Sequence, residues 1–287
     1  MKKKVILMLR EMRVKQWTKN FLVYSAPLFN GTLFTFSYFV ISSLVFISFC
    51  LASSGIYIIN DIYDKDKDRL NPEKCKRPIA SGKLGAGFAF VFSVMLLLFS
   101  LAVSFSLSRE YFCILLSYIV LNVFYTIKLK NIVIIDVMTV AYGFVARAVS
   151  GAVSCGVYMT AWFLLCVMFL SLFLALGKRR YELSGEKFRE GREVLKDYSI
   201  DLIDRMMNIT TSAVIMSYAL FTMDSTTKNS REMSLTIPLV LYGIFYYLYV
   251  VHVKHSGGSP DESLYREKPI LITVITYVIY VMAVRNF

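Results

Sequence analysis

The sequence predicts an all-α, polytopic membrane protein with nine transmembrane helices, and three observations carry that reading. The 287-residue chain has a mean hydropathy of +0.57, with 56% hydrophobic and only 18% charged residues. Ordinary soluble domains carry about 25% charged residues. Second, long stretches lack Asp, Glu, Lys and Arg altogether: 20–60, 84–108, 111–127, 148–177, 206–223, 233–253 and 269–284. Third, the cations pool between those stretches. This composition excludes a disordered chain, a coiled coil and a soluble enzyme.

Crossing a bilayer takes about 20 apolar residues as a helix. The first stretch is too long for one span, and Asn30-Gly31 supplies a turn that divides it. Near Ser154-Cys155-Gly156 a second break separates two helices within the stretch 148–177. The expected helices run over 14–30, 37–60, 86–107, 111–128, 132–152, 159–177, 200–224, 233–254 and 268–286. Met1–Arg10 opens with three lysines and a short apolar run, but Arg10, Glu11, Arg13 and Lys15 interrupt it. It reads as an amphipathic cytosolic lead-in rather than a cleaved signal. With the amino terminus in the cytoplasm, 27 of the 32 Lys and Arg fall on the inner side. Arg109, Lys228, Arg231 and Arg285 lie outside, and Arg147 lies within the fifth helix, as the positive-inside rule requires. The net charge of +12 therefore calls for an anionic leaflet and anionic substrates, not nucleic acid. Cys50, Cys75, Cys113, Cys155 and Cys166 show no paired or metal-ligand spacing and read as reduced thiols.

One segment carries chemistry. Asn60-Asp61-Ile62-Tyr63-Asp64-Lys65-Asp66-Lys67-Asp68-Arg69 lies at the cytosolic end of the second helix. At about 100° per residue, Asp61, Asp64 and Asp68 share an arc about 60° wide, while Asp66 points elsewhere. Three carboxylates on one face repel one another, and a hard divalent cation relieves that repulsion. Mg²⁺ commonly bridges one or two carboxylates to substrate phosphates. The alternative is a solvated acidic helix end screened by Lys65, Lys67 and Arg69. A basic strip, Lys74, Lys76 and Arg77, follows at once.

This segment, followed by Arg77-Pro78-Ile79-Ala80-Ser81-Gly82, resembles the first aspartate motif of the UbiA superfamily of intramembrane prenyltransferases. Four further stretches make the chain similar to one branch, the decaprenyl-phosphate phosphoribosyltransferases. They are Arg13–Asn20 with Ala26-Pro27, Lys130–Asp136 with Arg147 and Gly151, Gly177–Leu183, and Gly257–Glu262 with Tyr265–Lys268. The resemblance implies one domain over 1–287, with helices around a central cavity open to cytosol and lipid. Loops 60–85 and 178–199 would cap it, in a bacterial inner membrane. It also implies Mg²⁺-dependent transfer of 5-phosphoribose from phosphoribosyl diphosphate to a polyprenyl phosphate, for cell-envelope glycan synthesis. Aromatic prenyltransferases carry a second acidic cluster after the sixth helix. Here that position reads Lys178-Arg179-Arg180-Tyr181-Glu182, which suits an additional phosphate on the donor.

The expected site is thus Asp61, Asp64 and Asp68 as metal ligands and catalytic groups. Asn60, Lys15, Lys19, Arg77, Tyr125, Lys130, Arg147, Lys178, Arg179 and Glu182 are the substrate-binding candidates. Asp136 and Arg147, about 20° apart on the fifth helix but about 16 Å apart along it, cannot pair with each other. Arg147 either binds phosphate or locks helices together. Trp17 reads equally as an interfacial belt residue or a site residue. Glu182 and Glu186, four apart, read equally as facing the site or facing away from it. Asp197, Asp201 and Asp204 read as the solvated start of the seventh helix, and His252 and His255 show no metal spacing. Two other readings remain at this stage: a prenyltransferase acting on an aromatic or other acceptor, and a transporter or non-enzymatic membrane protein. The motifs do not encode isoprenoid length or oligomeric state.

Overall fold

The structure, a computed structural model, describes residues 2–72, 74–184, 193–224, 229–254 and 266–286. The expected Gly257–Tyr265 stretch, Glu186, Lys228 and His255 lie outside the described residues. The helices are α1 (Lys2–Glu11), α2 (Ser25–Phe29), α3 (Phe36–Tyr63), α4 (Lys65–Leu70), α5 (Ala86–Leu107), α6 (Arg109–Ile127), α7 (Ile135–Cys155), α8 (Ala161–Ser184), α9 (Ile200–Met223), α10 (Ser230–Ser234), α11 (Ile237–His252) and α12 (Lys268–Asn286). Among the described residues, eight segments are long and apolar enough to cross a membrane, with α10 and α11 counting as one.

The first expected helix departs from the α form. Val14–Tyr24 winds as a 3-10 helix that passes directly into α2. At about 2.0 Å per residue the 3-10 part spans about 22 Å, and α2 adds about 7 Å. Sixteen residues thereby reach about the hydrocarbon thickness that an α-helix needs 20 to cross. Tighter winding also alters the surface. Lys15 and Lys19, four apart, diverge by about 120° instead of sharing a face. Arg13 sits in the left-handed region (φ 50°, ψ 50°) at the junction with α1.

Gly31 (φ 73°) and Gly156 (φ 61°) make the two expected breaks, in a conformation that residues with a Cβ rarely adopt. The helix carrying Lys178–Leu183 runs two turns past its expected end, because no Gly or Pro stops it before Ser184 and Arg179 bonds Glu182 one turn on.

On the lipid-facing helix α5, burial is the reverse of that on a soluble protein's surface helix. On α5, Phe88, Val91, Met95, Leu98 and Phe105 face outward, while Ser93, Ser100 and Ser104 are fully buried. Small polar residues let helices approach closely and bond across them; Ser48 Oγ of α3 donates to the Ser100 carbonyl at 3.0 Å. Two cores result. The 3-10 segment, α3 and α6 enclose Val23, Phe49, Tyr111 and Leu115. Helices α8, α9, α11 and α12 enclose Phe173, Met207, Tyr247 and Val281. Helix α7 contributes to both, through Ala146 on one side and Ala148 on the other.

Candidate active site

Helix α3 ends at Tyr63, and Asp64 (φ −90°, ψ 8°) breaks the chain before α4 restarts at Lys65. The arc expected for three aspartates assumes an unbroken helix, so the break rearranges them. Asp61, 1% exposed, and Asp68, 3% exposed, converge on one nitrogen: Arg77 Nη1 donates to Asp61 Oδ1 at 2.9 Å and to Asp68 Oδ2 at 2.5 Å. Asp64 turns instead to Lys130, whose Nζ lies 2.6 and 2.7 Å from its two oxygens. Arg13 Nη2 donates to Asp61 Oδ1 as well, and Lys74 Nζ stands 3.8 Å from Asp68. Asp66 is exposed and pairs with Arg69 at 3.4 Å. Asn60 is half-buried, and its carbonyl accepts the Asp64 N–H at 2.9 Å.

Asp61 Oδ2 is buried and makes no hydrogen bond. A buried carboxylate oxygen without a donor carries a desolvation penalty; the raised Glu11 carboxyl, which hydrogen-bonds Asp61 when protonated, or a cation is the partner its chemistry accepts. Among the described residues no three Asp, Glu, His or Cys side chains form a group able to hold a metal. The part of the cluster whose chemistry suits a divalent ion is the buried Asp61–Asp68 pair.

Sequence reasoning missed Glu11. It closes α1 at 1% exposure and accepts the Ile79 N–H at 2.8 Å, which ties the lead-in helix to the Arg77–Gly82 turn. Burial pushes its carboxyl up to about 7 against the pull of that N–H, and the charge of Asp61 adds to the rise. Asp68 is also raised by burial, opposed by Arg77 and Lys74. Arg13 was visible only as part of a motif; its guanidinium also covers the Tyr57 ring at 5.0 Å. An acidic residue interrupting a cationic amphipathic run was the available signal for Glu11.

The second polar group surrounds Asp136, which is fully buried. Its Oδ2 accepts Arg179 Nε at 2.7 Å and its Oδ1 accepts the Tyr198 hydroxyl at 2.7 Å. Arg179, 3% exposed, also donates to Glu182 at 2.6 Å and reaches the Tyr125 hydroxyl at 3.5 Å. Arg179, expected to grip donor phosphate, stands between these two carboxylates inside the protein. Lys178 is half-buried beside it. Arg180 bonds Asp204 at 2.6 Å and the Val251 carbonyl at 3.0 Å, with His252 Nε2 3.4 Å from Asp204. Asp204 is thus an interhelical partner, while Asp197 and Asp201 are exposed.

Arg147 takes the helix-locking role. It donates to Asn20 Oδ1 at 2.6 Å, to the Gly143 carbonyl at 2.6 Å and to the Tyr118 hydroxyl at 3.0 Å, and it packs over the Phe49 and Phe144 rings. Three of its five N–H donors are used, and with the Phe49 contact they join the first segment, α3 and α6 to α7. Lys15 is exposed and Lys19 half-buried. Trp17 Nε1 donates to Ser54 Oγ at 3.1 Å. Arg285, expected in an outer loop, is 1% exposed at the end of α12. The five cysteines are unbridged.

Membrane-length helices that gather paired carboxylates and cations where their polar loops meet define a multi-pass membrane protein with an intramembrane-type polar site. The sequence profile of the UbiA prenyltransferase family matches residues 23–184, and the chain belongs to that family of transferases. It is 34% identical over 290 residues to a decaprenyl-phosphate phosphoribosyltransferase of Corynebacterium glutamicum, spanning 96% of this chain and 86% of that protein. It is 30% identical to the enzyme of that name from Mycolicibacterium smegmatis, spanning 94% and 90%. Among solved structures, a UbiA homolog from Archaeoglobus fulgidus bound to GPP and Mg²⁺ shares the fold, with a TM-score of 0.76 at 19% identity over 98% of this chain and all of that one.

Proposed function

We propose that the protein transfers 5-phosphoribose from phosphoribosyl diphosphate to a polyprenyl phosphate, releasing diphosphate, as a step in making cell-envelope glycan precursors. The observation that carries this reading is the excess of cations over carboxylates. Arg13, Lys74, Arg77 and Lys130 surround Asp61, Asp64 and Asp68, and Lys178 stands half-buried beside the Arg179–Asp136–Glu182 group. A donor with a 5-phosphate as well as a diphosphate suits that balance. The two near-full-length relatives named for this activity support it.

In the reaction the C1–O bond to diphosphate breaks and the diphosphate leaves with the electron pair. A phosphate oxygen of the lipid forms the new bond to C1. The nucleophile is already an anion, so no proton has to be removed. Asp61 and Asp68, with Asp64 once Lys130 releases it, would hold Mg²⁺, which supplies charge stabilisation to the leaving diphosphate. Arg77, Arg13 and Lys130 grip donor phosphates, Lys178 adds to them, and Lys15 and Lys19 attract the lipid phosphate. Asn60, Tyr125 and Glu182 line the approach. We place the polar end on the cytoplasmic side of the inner membrane by the charge asymmetry, with loops 60–85 and 178–199 capping one domain.

The test uses purified protein with labelled phosphoribosyl diphosphate, a polyprenyl phosphate and Mg²⁺. Label passing into the lipid phase, and stopping on addition of a chelator, is the expected result. Absence of transfer together with incorporation from labelled prenyl diphosphate would replace this reading with prenyl transfer.

A further inference from the structure

Ile134 is a β-branched residue in the left-handed half of backbone space (φ 71°, ψ −44°) at the start of α7. Such a conformation persists only where surrounding contacts impose it. Its side chain is 48% exposed, so the strain does not arise from burying the isoleucine. The residue's hydrogen bonds are on the backbone, and its carbonyl accepts the Met138 N–H at 2.9 Å as α7 begins. The Ile134 N–H donates to the Tyr198 hydroxyl at 2.7 Å, and that hydroxyl donates in turn to Asp136 Oδ1 at 2.7 Å. Tyr198 and Asp136 are both buried, and Arg179 holds the other Asp136 oxygen.

The turn so held carries a site residue. Between α6 and α7 the chain makes one short 3-10 turn, Leu129–Asn131, from which Lys130 reaches Asp64. Tyr198 itself is anchored by the preceding turn, Glu193–Asp197, where Val194 and Leu195 are buried and Glu193 pairs with Lys67 of α4 at 3.1 Å. A brace therefore runs from α4 to the first residues of α7, and Lys130 lies four residues from its far end.

We propose that Tyr198 is a positioning residue: its hydroxyl fixes Ile134 in the left-handed conformation and so sets Lys130 on Asp64 at the site. The consequence for donor binding rests on the reaction proposed above; the geometry at Lys130 does not.

The experiment compares wild type, Tyr198→Phe, and Tyr198→Phe combined with Ile134→Gly. Glycine adopts a positive φ without a Cβ clash, so the double variant no longer needs the hydroxyl. Two readouts are taken on the intact protein: the rate at which an amine-acylating reagent modifies Lys130, followed by peptide mass spectrometry, and kcat and KM for phosphoribosyl diphosphate. Tyr198→Phe is expected to raise Lys130 modification and donor KM by about tenfold, with kcat within about twofold, from the release of strain at one residue. Ile134→Gly is expected to restore both. Unchanged Lys130 reactivity in Tyr198→Phe overturns the proposal. A rise that glycine does not reverse also overturns it, because Tyr198 is then only a packing residue. If no variant transfers phosphoribose but the Lys130 pattern appears, the positioning role stands and the reaction falls.

Discussion

At Gly151 of α7 the Val23 backbone of the 3-10 segment comes into close contact, and replacing the glycine with alanine has a calculable consequence. A Cβ at 151 would lie 1.9 Å from the Val23 carbonyl oxygen, 2.9 Å from its carbon and 3.3 Å from its Cα. All three are backbone atoms, so no rotamer change relieves the contact. Restoring an ordinary C···O separation of about 3.3 Å requires the segment to retreat by roughly 1.4 Å. Val23 is fully buried, and the Arg147–Asn20 bond of 2.6 Å lies one turn away. Overpacking costs about 1–3 kcal/mol, and a weakened charged hydrogen bond adds about 1.5–3 kcal/mol. Gly151→Ala should therefore lower the thermal midpoint in detergent by about 5 °C or more. It should also impair catalysis, since the same segment carries Arg13 to Asp61. Gly87→Ala, whose added Cβ meets nothing within 4 Å, serves as the control and should be neutral or slightly stabilising. A Gly151→Ala protein with wild-type midpoint and turnover would refute the close-approach argument.

Two further outcomes follow from the polar site. Asp61→Asn should reduce turnover by about 10²–10³-fold while the protein still folds, because Arg77 keeps Asp68 and the two arginines retain partial solvent contact; Asp66→Asn, 91% exposed at its side chain, should stay within about twofold. Equal losses in a steady-state assay would remove the distinction. Glu11 has a folded pKa of about 7, above its unfolded value of 4.5, so the folded state holds the extra proton between those values. Its stabilising share is complete below pH 4.5 and is lost as pH rises through 7. Thermal midpoints measured from pH 5 to 8 should fall in wild type and fall less in Glu11→Gln; parallel curves would contradict the burial of an ionisable Glu11.

Helix positions were legible because the bilayer imposes a length and an apolar composition on each span, as α5 and α9 illustrate. The first segment was not, because apolar composition does not distinguish a 3-10 from an α helix. The aspartate motif was legible as a cluster. Its partition into Asp61 with Asp68 and Asp64 with Lys130 was hidden, since extrapolating helical angles past Asp64 assumes that the helix continues. Arg179 and Arg180 look like surface cations when read beside Lys178, yet both are tied into ion pairs.

Composition and spacing alone made the membrane class, the approximate spans and the charge asymmetry legible. Those depend on local composition and on spacing within one helix. The tertiary structure decided which charges neutralise which. Arg13 meets Asp61 across 48 residues, Arg179 meets Asp136 across 43 and Tyr198 meets Asp136 across 62. Such pairings depend on where helices cross and how closely they approach, and the crossings are set by Gly151, the buried serines and the cores on either side of α7. Periodicity along one helix carries no information about the neighbour that will face it.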